Sequence, residues 1–292
     1  MNIAIVGSTG YIAGYLLKRF EEQGGINRVL KIDCSDKADE YLNLQEADKF
    51  NYDSLVDIDF IVFTAAISGP DRCASEFEFC WSVNVTGTSY FISEAIKRDC
   101  RVLFFSSDAV FGDIPGEIYT ECSETKAITP YGRMKKAIED QFWHDKHFKA
   151  IRLSYVVSEK DRFVSYCLEC VIKEKTAEVF HPFYRNCIIV SDVVDVVVWF
   201  ACHWEEYQET VLNVASRELV SRVRIADELN RFLGNQLKYS ISAPGDEFYR
   251  NRPRITQMKS VYMGKYQILE DVSFTEKIRK ELEDYEKWVQ KR

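Results

Sequence analysis

The sequence predicts an α/β chain, a doubly wound parallel sheet covered by helices on both faces and followed by a smaller α/β lobe. Three observations carry this. Short apolar runs alternate with helix-length stretches through the first half. Two of these runs, Phe60–Phe63 and Val102–Phe105, are apolar at every position, as strands buried on both faces are. The first run leads straight into a glycine-bearing turn that opens a helix, Gly7-Ser8-Thr9-Gly10-Tyr11-Ile12-Ala13-Gly14.

In order, Asn2–Val6 reads as a strand, Tyr11–Glu22 as a helix and Val29–Ile32 as a strand. Phe60–Phe63 is the next strand, and Glu76–Lys97 has the length and periodicity of a helix. Val102–Phe105, a helix over Tyr131–Trp143 and the strand Ala150–Leu153 complete the alternation. Pro130 suits the first turn of its helix, where a missing N–H costs nothing. Beyond residue 155 the pattern loosens. Cys187–Val190 is a short strand, Asp192–His203 a helix, Val211–Ala215 a strand, Val223–Leu233 a helix and Leu237–Ser242 a strand. Thr275–Lys291 is a charged amphipathic helix. With no Gly/Ser/Pro linker in view, the division expected is a nucleotide-binding domain over 1–155 and a substrate lobe over 156–292, with segments returning to the first domain.

Composition narrows the function. A net charge of −8 argues against a general nucleic-acid binder. No apolar run reaches the roughly 18 residues that cross a bilayer, and the start lacks a charged n-region and cleavage site. The nine cysteines are irregularly spaced and read as reduced thiols, so a cytoplasmic setting is expected. Cys167-x-x-Cys170 has no second pair at metal spacing, and the four histidines form no ligand cluster; no metal is expected.

The glycine turn points to a dinucleotide. Gly7 permits the tight turn, and Gly10 lets a pyrophosphate approach the free N–H groups at the helix N-terminus. Ala13 stands where a third glycine is usual. Asp33 ends the second strand, 26 residues after Gly7, where a carboxylate bonds ribose hydroxyls and repels a 2′-phosphate. NAD is therefore favoured over NADP, although Ser35 and Lys37 lie close by. Farther on, Tyr131 and Lys135 stand four apart and share a helix face. An ammonium beside a phenol favours the phenolate, so Tyr131 is expected to have a lowered pKa and to serve as an acid/base.

Three further segments line up with these: Thr64-Ala65-Ala66 after a strand, Asn84 in Val83-Asn84-Val85-Thr86-Gly87, and Ser106-Ser107-Asp108-Ala109-Val110-Phe111. Together they resemble the extended short-chain dehydrogenases/reductases over nearly the whole chain. The resemblance implies a Rossmann-type sheet and a nicotinamide cofactor held by Gly7, Thr9, Gly10, Tyr11, Ile12, Asp33, Thr64, Ala65, Ala66, Asn84, Tyr131 and Lys135. Asn84 in such proteins is mainly structural or water-positioning. The resemblance gives Ser107, Tyr131 and Lys135 the chemistry. Ser107 bonds the reacting oxygen, Tyr131 moves the proton, and Lys135 lowers its pKa and holds the nicotinamide ribose.

Within that superfamily the chain resembles the dTDP-4-dehydrorhamnose reductases and NAD-dependent nucleotide-sugar epimerases. Ser107–Phe111, Arg185-Asn186-Cys187-Ile188-Ile189-Val190-x-Asp192, Asn213-Val214-Ala215 with Ser221-Arg222, and Arg252-Pro253-Arg254 with Met258-Lys259-Ser260 carry this. The implied substrate is a nucleotide-diphosphate sugar, met by Ser107, Asp108, Arg185 and Arg252. A guanidinium suits phosphate because its fork binds two oxygens at once. The implied reaction is reduction of a 4-keto sugar, with 4-epimerisation as the alternative and a non-catalytic regulatory subunit as a more distant one. Asp108 is followed by Ala109 rather than by a second acid, which speaks against dehydration. Cys73 and Trp81-Ser82 depart from the reductase pattern. Relatives of this kind are often homodimers, while the sequence itself leaves the oligomeric state open.

Overall fold

The computed structural model of the chain describes residues 1–270 and 272–289. It divides into two compact units, the first made of 1–112, 123–152 and 194–212, the second of 113–122, 153–193 and 213–292. Each has its own apolar core.

The first unit is built on a seven-stranded sheet. Its order is Val211–Val214, Phe148–Leu153, Arg101–Ser107, Phe60–Phe63, Asn2–Val6, Arg28–Asp33, Glu40–Tyr41. From Arg101–Ser107 to Glu40–Tyr41 the neighbouring strands pair in parallel, with Ala4 opposite both Leu30 and Ile61. All four residues of Phe60–Phe63 are fully buried, which explains why that strand reads as an unbroken apolar run. The first strand and first helix have the predicted bounds, Asn2–Val6 and Tyr11–Glu22. The next helix of the chemistry runs Pro130–Phe142, with the Thr129 hydroxyl as its N-cap, accepting the Gly132 N–H at 3.2 Å.

The predicted helix over Glu76–Lys97 is broken in a specific way. Helices over Pro70–Ser75 and Phe77–Trp81 meet at Glu76, whose backbone leaves the helical region. A wide π turn, Ser82–Gly87, then leads into Thr88–Ile96. Gly87 explains the wide turn's location. A Cβ there would sit 1.7 Å from the Leu44 carbonyl oxygen, so the backbone of the 44 segment lies directly against it.

The second unit has shorter strands. A four-stranded sheet has the order Val220–Ser221, Tyr184–Arg185, Ile255–Met258, Ile118–Tyr119. Two parallel pairs join Ile188–Ile189 to Val156–Val157 and Tyr239–Ser242 to Ala177–Phe180. The expected strand Cys187–Val190 is cut to two residues because Val190 already starts the helix Val190–His203. The helix Arg162–Ile172, capped by Asp161, and the strand Ala177–Phe180 were not foreseen from the sequence. The last helix is Phe274–Val289, and residues 290 and 291 of the predicted one lie outside the described residues. No helix among the described residues is long and apolar enough to cross a membrane.

Candidate active site

Four neighbouring parallel strands end at Gly7, Asp33, Thr64 and Ser107, so the sheet delivers these residues to one edge, the carboxyl edge. Gly7 has φ +85°, and a Cβ on it would meet the Ala65 nitrogen at 2.7 Å and the Thr64 hydroxyl at 2.8 Å. Only glycine fits. Thr64 is tied down beside it, its hydroxyl donating to the Val6 carbonyl at 2.8 Å, and the Ala65 N–H reaches the same oxygen at 3.0 Å. Ala66 follows, half-buried.

The helix that starts at Tyr11 has Gly10 as its N-cap, which has no side chain to cap the first turn. Ser8, in the same turn, has a buried hydroxyl with no partner among the described residues. The glycine-capped helix start and the Ser8 hydroxyl, with Asp33 at the end of the adjacent strand, fit a dinucleotide pyrophosphate and ribose. The Asp33 carboxylate is itself held. The Thr9 N–H and the Thr9 hydroxyl both donate to Asp33 Oδ2, each at 2.9 Å. Tyr11 and Ile12 occupy the first turn of that helix, both half-buried.

Asn84 sits on the π turn and is almost fully buried. Its amide grips one residue at both ends: Oδ1 accepts the Ile67 N–H at 2.8 Å and Nδ2 donates to the Ile67 carbonyl at 2.9 Å. Asn84 therefore fixes the segment after Thr64-Ala65-Ala66. Its amide is turned to that backbone at both ends.

Ser107 caps the short turn Asp108–Val110; its hydroxyl accepts the Ala109 N–H at 3.2 Å and donates to Asp108 Oδ1 at 3.1 Å. The helix carrying Tyr131 is pressed against this turn. A Cβ on Gly132 would fall 2.0 Å from the Ala109 carbonyl oxygen, so glycine after Tyr131 is what lets the helix approach Ser107. The Lys135 ammonium is buried, donates to the Phe105 carbonyl at 2.7 Å, and lies 4.4 Å from the Phe104 ring centre and 5.8 Å from that of Tyr131.

Electrostatically this corrects the expectation for Tyr131. Burial raises the phenol's pKa above its ordinary value, and Cys73 and Asp108 add to the rise. Lys135 moves the other way: burial lowers it to about 7, with Glu139 opposing. The reason is that both charged forms lose hydration here, and the ammonium is bonded to a carbonyl rather than to the phenol. Tyr131 is thus held protonated.

Two more residues, Glu139 and Cys73, take part without a role assigned from the sequence. Glu139 lies one turn beyond Lys135 and is fully buried. It accepts the Ser106 hydroxyl and pairs with Arg152, Nη2 to Oε2 at 2.6 Å, both side chains being 1% exposed. This pair anchors the Tyr131 helix to the strands Arg101–Ser107 and Phe148–Leu153. Cys73, fully buried on Pro70–Ser75, donates its thiol to the Ile67 carbonyl at 3.2 Å. A Tyr-Gly-x-x-Lys-x-x-x-Glu spacing was the available clue to Glu139.

In the second unit, Arg185 is held by backbone carbonyls. It is buried, and it donates to the carbonyls of Tyr184 at 2.6 Å and Pro253 at 2.7 Å, clamping the Pro253–Arg254 backbone. Arg252 donates to the Phe248 carbonyl at 3.2 Å and lies over the Phe248 ring at 5.0 Å. Among the described residues, no group of three or more His, Cys, Asp or Glu side chains is placed to hold a metal ion.

Comparison with known proteins now places the chain. The structure is similar to that of a dTDP-4-dehydrorhamnose reductase from Clostridium acetobutylicum, at 18% identity and TM-score 0.82, covering 99% of this chain and 100% of that one. It is equally similar to a UDP-glucose 4-epimerase from Thermotoga maritima solved with UDP-glucose, at 16% identity, TM-score 0.82 and the same coverage. An uncharacterized protein of Sinorhizobium fredii, y4nG, is 29% identical over 145 residues, 46% of this chain and 35% of that protein, so the match spans about a third of its length. The model of the family described as "NAD dependent epimerase/dehydratase family" matches residues 3–215, well over half of the sequence. The chain belongs to the NAD dependent epimerase/dehydratase family.

Proposed function

We propose that the chain reduces the 4-keto group of a nucleotide-diphosphate sugar, with Tyr131 as the proton donor. As a member of its family the chain is an NAD(P)-dependent enzyme of the oxidoreductase type. The bound nicotinamide supplies the hydride. Gly7, Gly10 and the helix start would hold the diphosphate of the cofactor, and Asp33, fixed by Thr9, would take the adenosine ribose and favour NAD. Ser107 hydrogen-bonds the substrate oxygen on which negative charge develops. Tyr131 donates its proton there, and Lys135, poised near neutrality, holds the replacement proton within the same buried pocket of groups.

The observation that carries the reading is the close packing of the Tyr131 helix, through Gly132, on the turn that Ser107 caps, with Lys135 5.8 Å from the Tyr131 ring centre. This supports Tyr131 and Ser107 acting on one substrate oxygen, Tyr131 as the proton donor. Ala109 after Asp108 supports a reductase over a dehydratase, because elimination of water needs a further acid. The alternative is a 4-epimerase that uses the same residues, supported by the family description and by the UDP-glucose 4-epimerase likeness. In the division of labour proposed, residues 1–155 bind the cofactor and 156–292 the sugar nucleotide, in the cytoplasm.

The test is a mass-spectrometric screen of purified protein for bound cofactor and nucleotide sugar, coupled to NADH consumption with 4-keto sugar nucleotides. Net oxidation of NADH supports the reductase. Tightly bound NAD with sugar interconversion and no net NADH consumption shifts the reading to the epimerase.

A further inference from the structure

We infer that Arg222 is an additional phosphate-binding residue, one that takes the diphosphate of the sugar nucleotide. This rests on the nucleotide-sugar reading above. Arg222 opens the helix Arg222–Phe232, whose N-cap Ser221 accepts the Arg224 N–H at 3.1 Å. Arg222 is half-buried, and its guanidinium lies among aromatic rings. It lies 4.8 Å from the Phe183 centre, 5.2 Å from Phe163 and 5.7 Å from Phe248. Among the described residues the side chain makes no hydrogen bond and no ion pair, and its Nε is buried without a partner.

That state is unusual. A guanidinium carries five donors in a planar fork, and burial of a donor without an acceptor is costly. The rings stabilise the positive charge and fix the plane, yet they satisfy none of the N–H groups. The nearest acid by electrostatic influence is Asp161, whose charge Arg222 favours. Asp161 Oδ1 is committed to the Tyr155 hydroxyl at 2.6 Å and the Phe163 N–H at 2.8 Å, and its Oδ2 is likewise buried and unpartnered. The two groups feel each other without forming a bond, leaving a donor fork and an acceptor open in one unit.

The surroundings are cationic. Phe183 and Phe248 stand 5.6 Å apart, and Arg185 lies 4.4 Å from the first while Arg252 lies 5.0 Å from the second. Three guanidiniums therefore share one ring pair, and the positive end of a helix dipole adds to them. Mutual repulsion of such a trio falls when an anion joins them. The ligand class is a diphosphate diester, one negative charge on each phosphate, whose oxygens match the fork bidentately. Arg185 spends donors on backbone carbonyls, so Arg222 is the member with its fork open.

The experiment is calorimetric titration of the full chain with UDP and dTDP, and with uridine and thymidine, for wild type, Arg222→Gln and Arg222→Lys. NAD affinity serves as the check that each variant is folded. The expected result is that Arg222→Gln weakens the nucleoside diphosphate that wild type binds by about tenfold or more. Nucleoside affinity stays unchanged, and Arg222→Lys recovers part of the loss. Wild type that binds a diphosphate, with Arg222→Gln binding it equally well, overturns the assignment alone. Equal loss of diphosphate and nucleoside also overturns it, since Arg222 is then only a prop. Wild type that binds neither diphosphate overturns the nucleotide-sugar reading and this inference with it.

Discussion

At the residue scale, the site's behaviour depends on how burial treats two protons. Tyr131 is raised and Lys135 lowered to about 7, so near neutral pH the phenol keeps its proton and the amine exchanges its own. Below pH 7 Lys135 is charged and a proton is in reserve; above it the reserve empties. Carbonyl reduction should therefore slow as pH rises through about 7, and the reverse oxidation should gain. A flat kcat profile for reduction across that value would count against Lys135 as the reserve. Tyr131→Phe should lower kcat by about 100- to 10,000-fold while NAD affinity, read by titration, is kept. Thr9 makes a second prediction at this scale. It aims the Asp33 carboxylate through two bonds, of which its hydroxyl supplies one. Thr9→Val should weaken NAD binding by about five- to tenfold, the effect of one hydrogen bond to a charged group, with Thr9→Ser close to wild type. Equal NAD affinity in Thr9→Val and wild type would show that Asp33 needs no such support.

At the scale of elements, close approach decides the architecture. Gly132 lets the Tyr131 helix touch the Ala109 carbonyl, so Gly132→Ala forces the helix off the Ser107 turn. The expected cost is about 1–3 kcal/mol of stability, read from the denaturant midpoint, with a loss of kcat beyond what stability explains. Behind the helix, the Glu139–Arg152 pair is fully buried, and Glu139→Gln leaves the arginine short of its counter-charge. Breaking such a pair costs about 3–5 kcal/mol. Unfolding at the wild-type midpoint would remove the pair from the account.

The same elements explain what was legible. Asn2–Val6, Tyr11–Glu22 and the glycine turn follow regular periods and local turn chemistry, and the structure reproduces them. The π turn at Ser82–Gly87 was not legible, because it answers to Leu44, a residue far away in sequence. The strands of the second unit are two to four residues long, too short for a period to show. Site residues at strand ends stood out for their types and order. Arg185 and Arg222 were not separable by sequence, since one has its donors on carbonyls and the other has none engaged.

At the scale of the whole molecule, two units each have their own core. The first unit assembles strand ends from four places in the chain at one sheet edge. The second gathers arginines and aromatic rings on short strands and helices. A chain of net charge −8 thus keeps a local cationic cluster, which suits the anionic sugar nucleotide proposed as substrate. The measurement that tests this account most directly is a single-turnover assay of the purified chain with NADH and 4-keto sugar nucleotides, followed by the absorbance of reduced nicotinamide. The account predicts stoichiometric loss of NADH with formation of the 4-hydroxy sugar in wild type, and none in Tyr131→Phe. Equal NADH oxidation in the two proteins would contradict it.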